Sequence, residues 1–371
     1  MFHMDIIRQI LLIAIMTLSS MLVAEDKQII SGTLISTNLA TSELVIEDKQ
    51  ERQTVIRVLH STRIYNGENK TTLITLGSGQ ELTISVDSSG SAADRIDLRG
   101  DRIFPSREGY PISEWITVQR GTLPIILSAP HGGNESIPGV PKRNDDSQPK
   151  FVIKADSNTY PLSKLIAAEL ETRLGGKPWL VAAKFHRSYI DANRPIEHAL
   201  EHEKAKATYR AYHLALQHAI LEVNCQFESG LLIDLHGQSR LPDVIWRGTR
   251  QGTTLGGLTD QFGWDVVEGK NSLMHSFRQT GYSTHPQGID ASESPFSGGF
   301  ITSTYGYPYG LNSIQLEYGY SFRASKEKYL KTSKDTAVAI ERFYRSYFTK
   351  KLNVHRFFPM TRNHDLPSRV Y

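Results

Sequence analysis

Only one cysteine, Cys225, occurs in 371 residues, so no intrachain disulfide can form and the core must hold the fold. That excludes a disulfide-stapled extracellular scaffold, and an exported protein without disulfides suits a bacterial periplasm. No block of Lys or Arg stands out and the formal charge is only +3, so no nucleic-acid partner is implied. After residue 24 there is no apolar run long enough to span a bilayer. Internal repeats and low-complexity tracts are also missing.

What is present begins with a distinct N-terminal segment. Arg8 precedes Ile10-Leu11-Leu12-Ile13-Ala14-Ile15-Met16, and a mostly apolar run continues to Ala24 before charge returns at Glu25, Asp26 and Lys27. This profile predicts a signal peptide over residues 1–24 and an exported, periplasmic protein. An uncleaved N-terminal anchor is the alternative; if the signal is cleaved, no stable membrane insertion remains.

Residues 25–100 are expected to form a small all-β domain. Short alternating segments separated by turn residues predict strands over 29–37, 43–47, 53–58, 62–65, 71–76 and 81–86, with 88–93 as a linker. The pattern resembles the small OB-like barrels found beside exported bacterial enzymes. It shows no aromatic platform or basic groove for nucleic acid. From residue 105 to 371 the rhythm changes to strands alternating with helices. This predicts an α/β domain with a mostly parallel or mixed sheet flanked by helices. Its helices are expected over 159–174, 195–224 and 326–348.

The α/β part is organised around Gly230-Leu231-Leu232-Ile233-Asp234-Leu235-His236-Gly237-Gln238, an apolar run that delivers His236 from the end of a buried strand. A matching unit lies upstream, where Ile125-Ile126-Leu127-Ser128-Ala129 runs through Pro130 into His131-Gly132-Gly133. Two imidazoles at adjacent strand ends, with one acid, make a three-ligand zinc site that leaves a position open. The acid is Asp156, just before a helix, or alternatively Glu135, four residues beyond His131.

Glu317 sits on an apolar strand, where a carboxylate is costly unless it is paired or working, and a general base fits. In His186-Arg187-Ser188-Tyr189-Ile190-Asp191-Ala192-Asn193-Arg194, Arg194 is placed to clamp a substrate carboxylate, with Asn193 as a second donor. Arg187 is placed to stabilise a developing oxyanion, and Asp191 to pair with one of the arginines. His198 and His202 read as a solvated helical face, and Arg247 is a further candidate for the pocket wall.

Taken in order, Ser-Ala-Pro-His-Gly-Gly, Asp156 before a helix, Asp-Ala-Asn-Arg, Leu-Ile-Asp-Leu-His-Gly, Pro295-Phe296-Ser297-Gly298-Gly299-Phe300-Ile301 and Gln315-Leu316-Glu317 resemble the N-formylglutamate amidohydrolase family. That family is related to zinc carboxypeptidases and aspartoacylase-like deacylases. The resemblance covers residues 110–345 and leaves the β unit outside. It implies one zinc ion per site and amide hydrolysis by metal-activated water. It also implies His131 and His236 as ligands, Glu317 as base, Arg194 as carboxylate anchor, and a pocket shaped by the loop holding Gly298 and Gly299. The expected partner is a small-molecule or short-peptide substrate with a free carboxylate. The alternatives are a zinc carboxypeptidase, a cell-wall peptide amidase or a catalytically silent binding protein.

Overall fold

The structure is a computed structural model that describes residues 27–39, 41–100, 113–288 and 291–348; the expected signal peptide lies outside the described residues. The first unit contains β1 (Ile29–Asn38), β2 (Glu43–Glu47), β3 (Gln53–Asn66), β4 (Asn69–Thr71), β5 (Glu81–Val86) and β6 (Ala92–Arg99). β1 pairs with β2 and β5, β5 with β6, β6 with β3 in parallel, and β3 returns to β2. This five-strand circuit closes a small barrel of the expected OB-like kind. Alternate residues Leu34, Leu44, Ile46, Ile56, Val58, Leu82, Ile84 and Ile96 fill its interior. Alternation is what a barrel requires, because each strand has one face inside.

Three local expectations are corrected. Residues 53–58 and 62–65 belong to a single strand, β3. Residues 71–76 do not make a strand, because β4 ends at Thr71 and a short 3-10 turn follows over Leu73–Thr75. The expected linker over 88–93 is a turn leading into β6. There Asp87 Oδ1 accepts from Ser89 Oγ and the Ala92 amide, and Gly90 takes φ +71°. Turns and linkers share a composition, so Ser and Gly alone could not separate them.

The second unit is built on β7 (Ile116–Gln119), β8 (Ile125–Ala129), β9 (Trp179–Ala183), β10 (Leu231–Gln238), β11 (Val244–Gly248), β12 (Ser283–His285) and β13 (Asn312–Gly319). Their order across the sheet is β12-β11-β13-β10-β8-β9-β7. β9, β8, β10 and β13 run parallel, β7 is antiparallel to β9, and β11 is antiparallel to β13 but parallel to β12. The expected mixed α/β sheet is therefore found.

Helices cover both faces. α1 (Thr159–Leu174), α3 (Leu273–Gln279) and α5 (Lys326–Tyr347) pack on Ile125, Leu127, Ile233, Leu235 and Leu316. On the other face, α2 (Lys206–Gln226) and α4 (Phe300–Tyr305) pack on Ile126, Val181 and Leu232. Strands buried on both sides are mostly apolar, which is why β8 opens with Ile125-Ile126-Leu127 and β10 with Leu231-Leu232-Ile233.

A single helix over 195–224 is not formed. A short helix over Ile196–Ala199 stops at Leu200, whose φ and ψ are −150° and 155°, and α2 begins only at Lys206. The Glu201 carboxylate accepts from the backbone amides of Asn144 and Asp145, a long-range tie that holds the intervening residues out of helix. His198 and His202 therefore do not share one helical face.

The chain passes from β8 outward to β9 and then returns to β10 on the opposite side of β8. Strand direction of travel thus reverses between β8 and β10, and the crevice at their C-terminal ends is where open α/β sheets bind ligands. His131 follows β8, and His236 lies near the end of β10.

Candidate metal centre and cavity

His236 and Glu317 are direct partners in the parallel β10–β13 register, and Asp234 pairs with Gln315 two residues earlier. In-register residues point to the same face, so one strand pair presents four polar side chains on one side. His131 approaches from the loop after β8, and Asp156 from the segment before α1. Asp156 does not cap α1 with its side chain. Its amide bonds the His131 carbonyl and its own carbonyl accepts from Thr159, which turns the carboxylate toward the histidines.

His131 Nδ1 and His236 Nδ1 are 3.1 Å apart, and Asp156 Oδ2 lies 3.4 Å from the first and 3.2 Å from the second. Bonds of about 2.0 Å to a tetrahedral ion require ligand atoms about 3.3 Å apart, so this triangle fits a zinc-sized cation. All three residues are buried, and they form a group able to hold a metal ion.

The outer nitrogens explain why both Nδ1 atoms face inward. His131 Nε2 is 2.7 Å from Asp191 Oδ1, and His236 Nε2 is 2.9 Å from Asp234 Oδ2. A carboxylate only accepts, so each Nε2 carries the proton and each Nδ1 is left with a lone pair. Asn193 Nδ2 also lies 3.1 Å from His236 Nε2, but two donors cannot bond each other. The Asp234 contact is the hydrogen bond, and Asn193 is fixed instead by its Oδ1, which accepts from the Ile301 amide.

Two lone pairs and a carboxylate facing one another demand positive charge. Burial alone would depress His236, yet Asp234, together with Asp156 and Glu317, holds it well above the ordinary histidine range. Burial would likewise raise Asp156, but its hydrogen bonds to His131 and His236 keep it far below the carboxylate range. Asp156, Asp234 and Glu317 thus surround the histidine pair with negative charge, an arrangement that favours positive charge between the rings.

Glu317 is only 7% exposed, and its Oε1 accepts from Gln315 Nε2 at 3.0 Å. Burial, reinforced by Asp156 and Asp234 and opposed by His236 and Arg187, pushes its carboxyl up to about 8. Arg323, the nearby cation that could have neutralised it, donates instead to the carbonyls of Tyr318, Ser157 and Gln238.

Arg187 donates from Nε and Nη2 to Asp191 Oδ2, and its Nη1 stands 3.7 Å from Asp156 Oδ1. Asp191 thus pairs with an arginine, as expected, and also orients His131. Arg194 Nη1 and Nη2 donate to the carbonyls of Asn193 and Lys150, while its buried Nε has no hydrogen-bond partner among the described residues.

A cavity of about 830 Å³ opens onto this group. Asp156, His236, Glu317, Arg187, Asn193 and Arg194 line one part of it, and Lys150, Lys154, Arg240, Arg250 and Arg323 add further positive charge. Gly298 and Gly299 lie in its wall. Gly298 has φ +105°, which side chains rarely adopt, and a Cβ on Gly299 would fall 2.3 Å from Asn193 Nδ2. The loop can therefore approach Asn193 only with glycine at 299.

The structure does not bring two candidates to the site. Glu135 is exposed and pairs through its backbone with residues 184–186, so the acid of the group is Asp156. Arg247 is buried in ion pairs with Glu268 and Glu293 and is not part of the cavity wall. Sequence reasoning missed Asp234 as the residue that orients His236; its signal was a carboxylate two positions earlier in an otherwise apolar strand.

Fold and site together define a mixed α/β protein with a buried His/Asp/His group at a strand-order reversal, opening into a cationic cavity. No family profile matches the chain, and no curated protein matches it. Similar solved structures include an N-formylglutamate amidohydrolase from Ralstonia eutropha JMP134. It is 19% identical, with 62% of this chain and 97% of that one covered at a TM-score of 0.43. A gene product from Agrobacterium tumefaciens is 13% identical over 63% of this chain and 96% of that one, at a TM-score of 0.43. The N-acetylmuramyl-L-alanine amidase Ami1 from Mycobacterium smegmatis is 11% identical over 60% and 97%, at a TM-score of 0.31. Among the described residues no helix is long and apolar enough to cross a membrane.

Proposed function

We propose that this chain is an exported zinc-dependent amidohydrolase that cleaves the amide of an N-acyl amino acid or a similar carboxylate-bearing substrate. The observation that carries the reading is the triangle of His131 Nδ1, His236 Nδ1 and Asp156 Oδ2, with edges of 3.1–3.4 Å. Export rests on the signal-peptide profile of residues 1–24, and the amide class on the ordered motifs of residues 110–345.

His131, Asp156 and His236 would hold a zinc ion, which would supply an acidified water and a polarised carbonyl. The chain's own residues do the rest. Arg194 offers the free hydrogens of its terminal nitrogens to the substrate carboxylate, fixing where the amide lies. Asn193, held by the Ile301 amide, adds a donor beside it. Arg187, made rigid by Asp191, faces the developing negative charge on the former carbonyl oxygen. Glu317 takes a proton from the attacking water and returns it to the leaving nitrogen. Its burial makes it a better base than an ordinary carboxylate, and a divalent cation nearby would draw it back toward ionisation at neutral pH.

The test is elemental analysis of the purified protein beside His236→Ala, with turnover of N-acyl amino acids. Near-stoichiometric zinc that disappears in the variant, along with turnover, is the expected result. Wild-type protein that stays metal-free after zinc is offered would move the reading to a binding protein.

A further inference from the structure

The cavity is not confined to the α/β unit. Ser42, in the β1–β2 turn, and His60, within β3, line it together with Arg250, Phe300 and Tyr309. His60 is held firmly in place. Its Nδ1 lies 3.1 Å from the Tyr307 carbonyl, and its ring is 4.9 Å from that of Tyr309. Tyr309 in turn donates its hydroxyl to the Val58 carbonyl. Because a carbonyl only accepts, Nδ1 carries the ring proton, and the nitrogen left for a ligand, Nε2, is an acceptor. Burial, with Arg250 adding to it, lowers His60, so the ring stays neutral and keeps that role at neutral pH.

Size points the same way. About 830 Å³ lies near the top of the range for drug-sized ligands, several times the room that one acylated amino acid needs. A peptide-length substrate fills such a space and brings amide N–H groups that an imidazole acceptor can read.

We propose that the β barrel is a wall of the substrate cleft, with His60 and Ser42 contacting the acyl side of a short acyl peptide beyond the scissile amide. The barrel thereby sets a preference for acyl peptides over single acyl amino acids. This rests on the amidohydrolase reading.

The test uses the full chain loaded with zinc, and N-acetyl-alanyl-alanyl-glutamate against N-acetylglutamate as probes. His60→Phe keeps a ring on Tyr309 but removes the acceptor. Ser42→Asn suits the φ of +58° at that position and pushes a larger side chain into the cavity. In each variant the ratio of kcat/KM values, peptide over amino acid, is expected to fall at least tenfold. A ratio within twofold of wild type, whether or not both rates drop together, overturns the proposal. Calorimetric binding of the acyl tripeptide to Glu317→Gln protein, with and without His60→Phe, gives a readout independent of turnover. A tenfold weaker Kd supports the wall, and an unchanged Kd overturns it. If wild-type enzyme cleaves neither probe, the amidohydrolase reading fails, while the binding comparison still decides the role of the barrel.

Discussion

Asp234 Oδ2 stands 2.9 Å from His236 Nε2, two residues away on the same strand, while the other oxygen, Oδ1, is buried without a hydrogen-bond partner among the described residues. Keeping a fully buried carboxylate for a single contact is expensive, and the contact fixes which nitrogen of His236 faces the metal group. Asp234→Asn keeps the shape and removes the charge. Zinc affinity, measured by competition with a chromogenic chelator, is expected to weaken about 10–100-fold. Affinity equal to wild type would show that the ring is oriented by other means.

Among the described residues Glu317 has no hydrogen-bond partner beyond Gln315 Nε2. Glu317→Gln should lower kcat by about 10²–10⁴ with bound zinc retained, because a general base contributes on that scale. Loss of zinc in parallel with activity would instead make Glu317 part of the metal-binding set.

Arg194 is tethered to two backbone carbonyls and lines the cavity. Arg194→Ala should raise KM at least about tenfold for substrates with a free carboxylate, since a charge-assisted pair is lost. Their amide-capped analogues should show little change. Arg194→Lys should recover only part of the loss, because a point charge does not reproduce a bidentate fork. Equal effects on capped and uncapped substrates would count against the anchor.

His213 gives a pH dependence separate from the metal group. Burial lowers it from the ordinary 6.5 to about 4, among Tyr209, Phe300 and Tyr305, with Nδ1 2.8 Å from the Tyr305 hydroxyl. Between those two values the unfolded chain binds the extra proton and the folded chain does not. Stability from this group is therefore full above 6.5 and falls as pH drops toward 4, by at most about 3 kcal/mol. His213→Gln should flatten that part of a denaturation profile measured from pH 7 to pH 4. An unchanged slope would assign the acid limb to other groups.

The strand-to-histidine units were legible because buried parallel strands are apolar on both faces, leaving His131 and His236 as conspicuous exceptions. Glu317 stood out for the same reason. The choice between Asp156 and Glu135 was not local, since it depends on how the segment before α1 folds back onto His131. Arg247 misled because its partners, Glu268 and Glu293, come from later parts of the chain that no spacing rule connects to it. The helix break near Leu200 was hidden in a segment of good helix formers, where a distant pair of amides captures Glu201. His60 gave no sequence signal at all, because its role arises only where the barrel meets the loop after α4.

That loop has a thermodynamic consequence. Tyr309, from the α/β part of the chain, is packed in the barrel's apolar interior, and Ile74, from the barrel part, is packed against the α/β core. The amides of Leu73 and Ile74 donate to the carbonyls of Pro308 and Tyr309, so the exchange is bonded as well as packed. Neither unit can melt without opening the other's interior to water. Scanning calorimetry of this protein should therefore trace one endotherm, with a heat-capacity step sized for both units together: the cooperative unit is larger than either sheet.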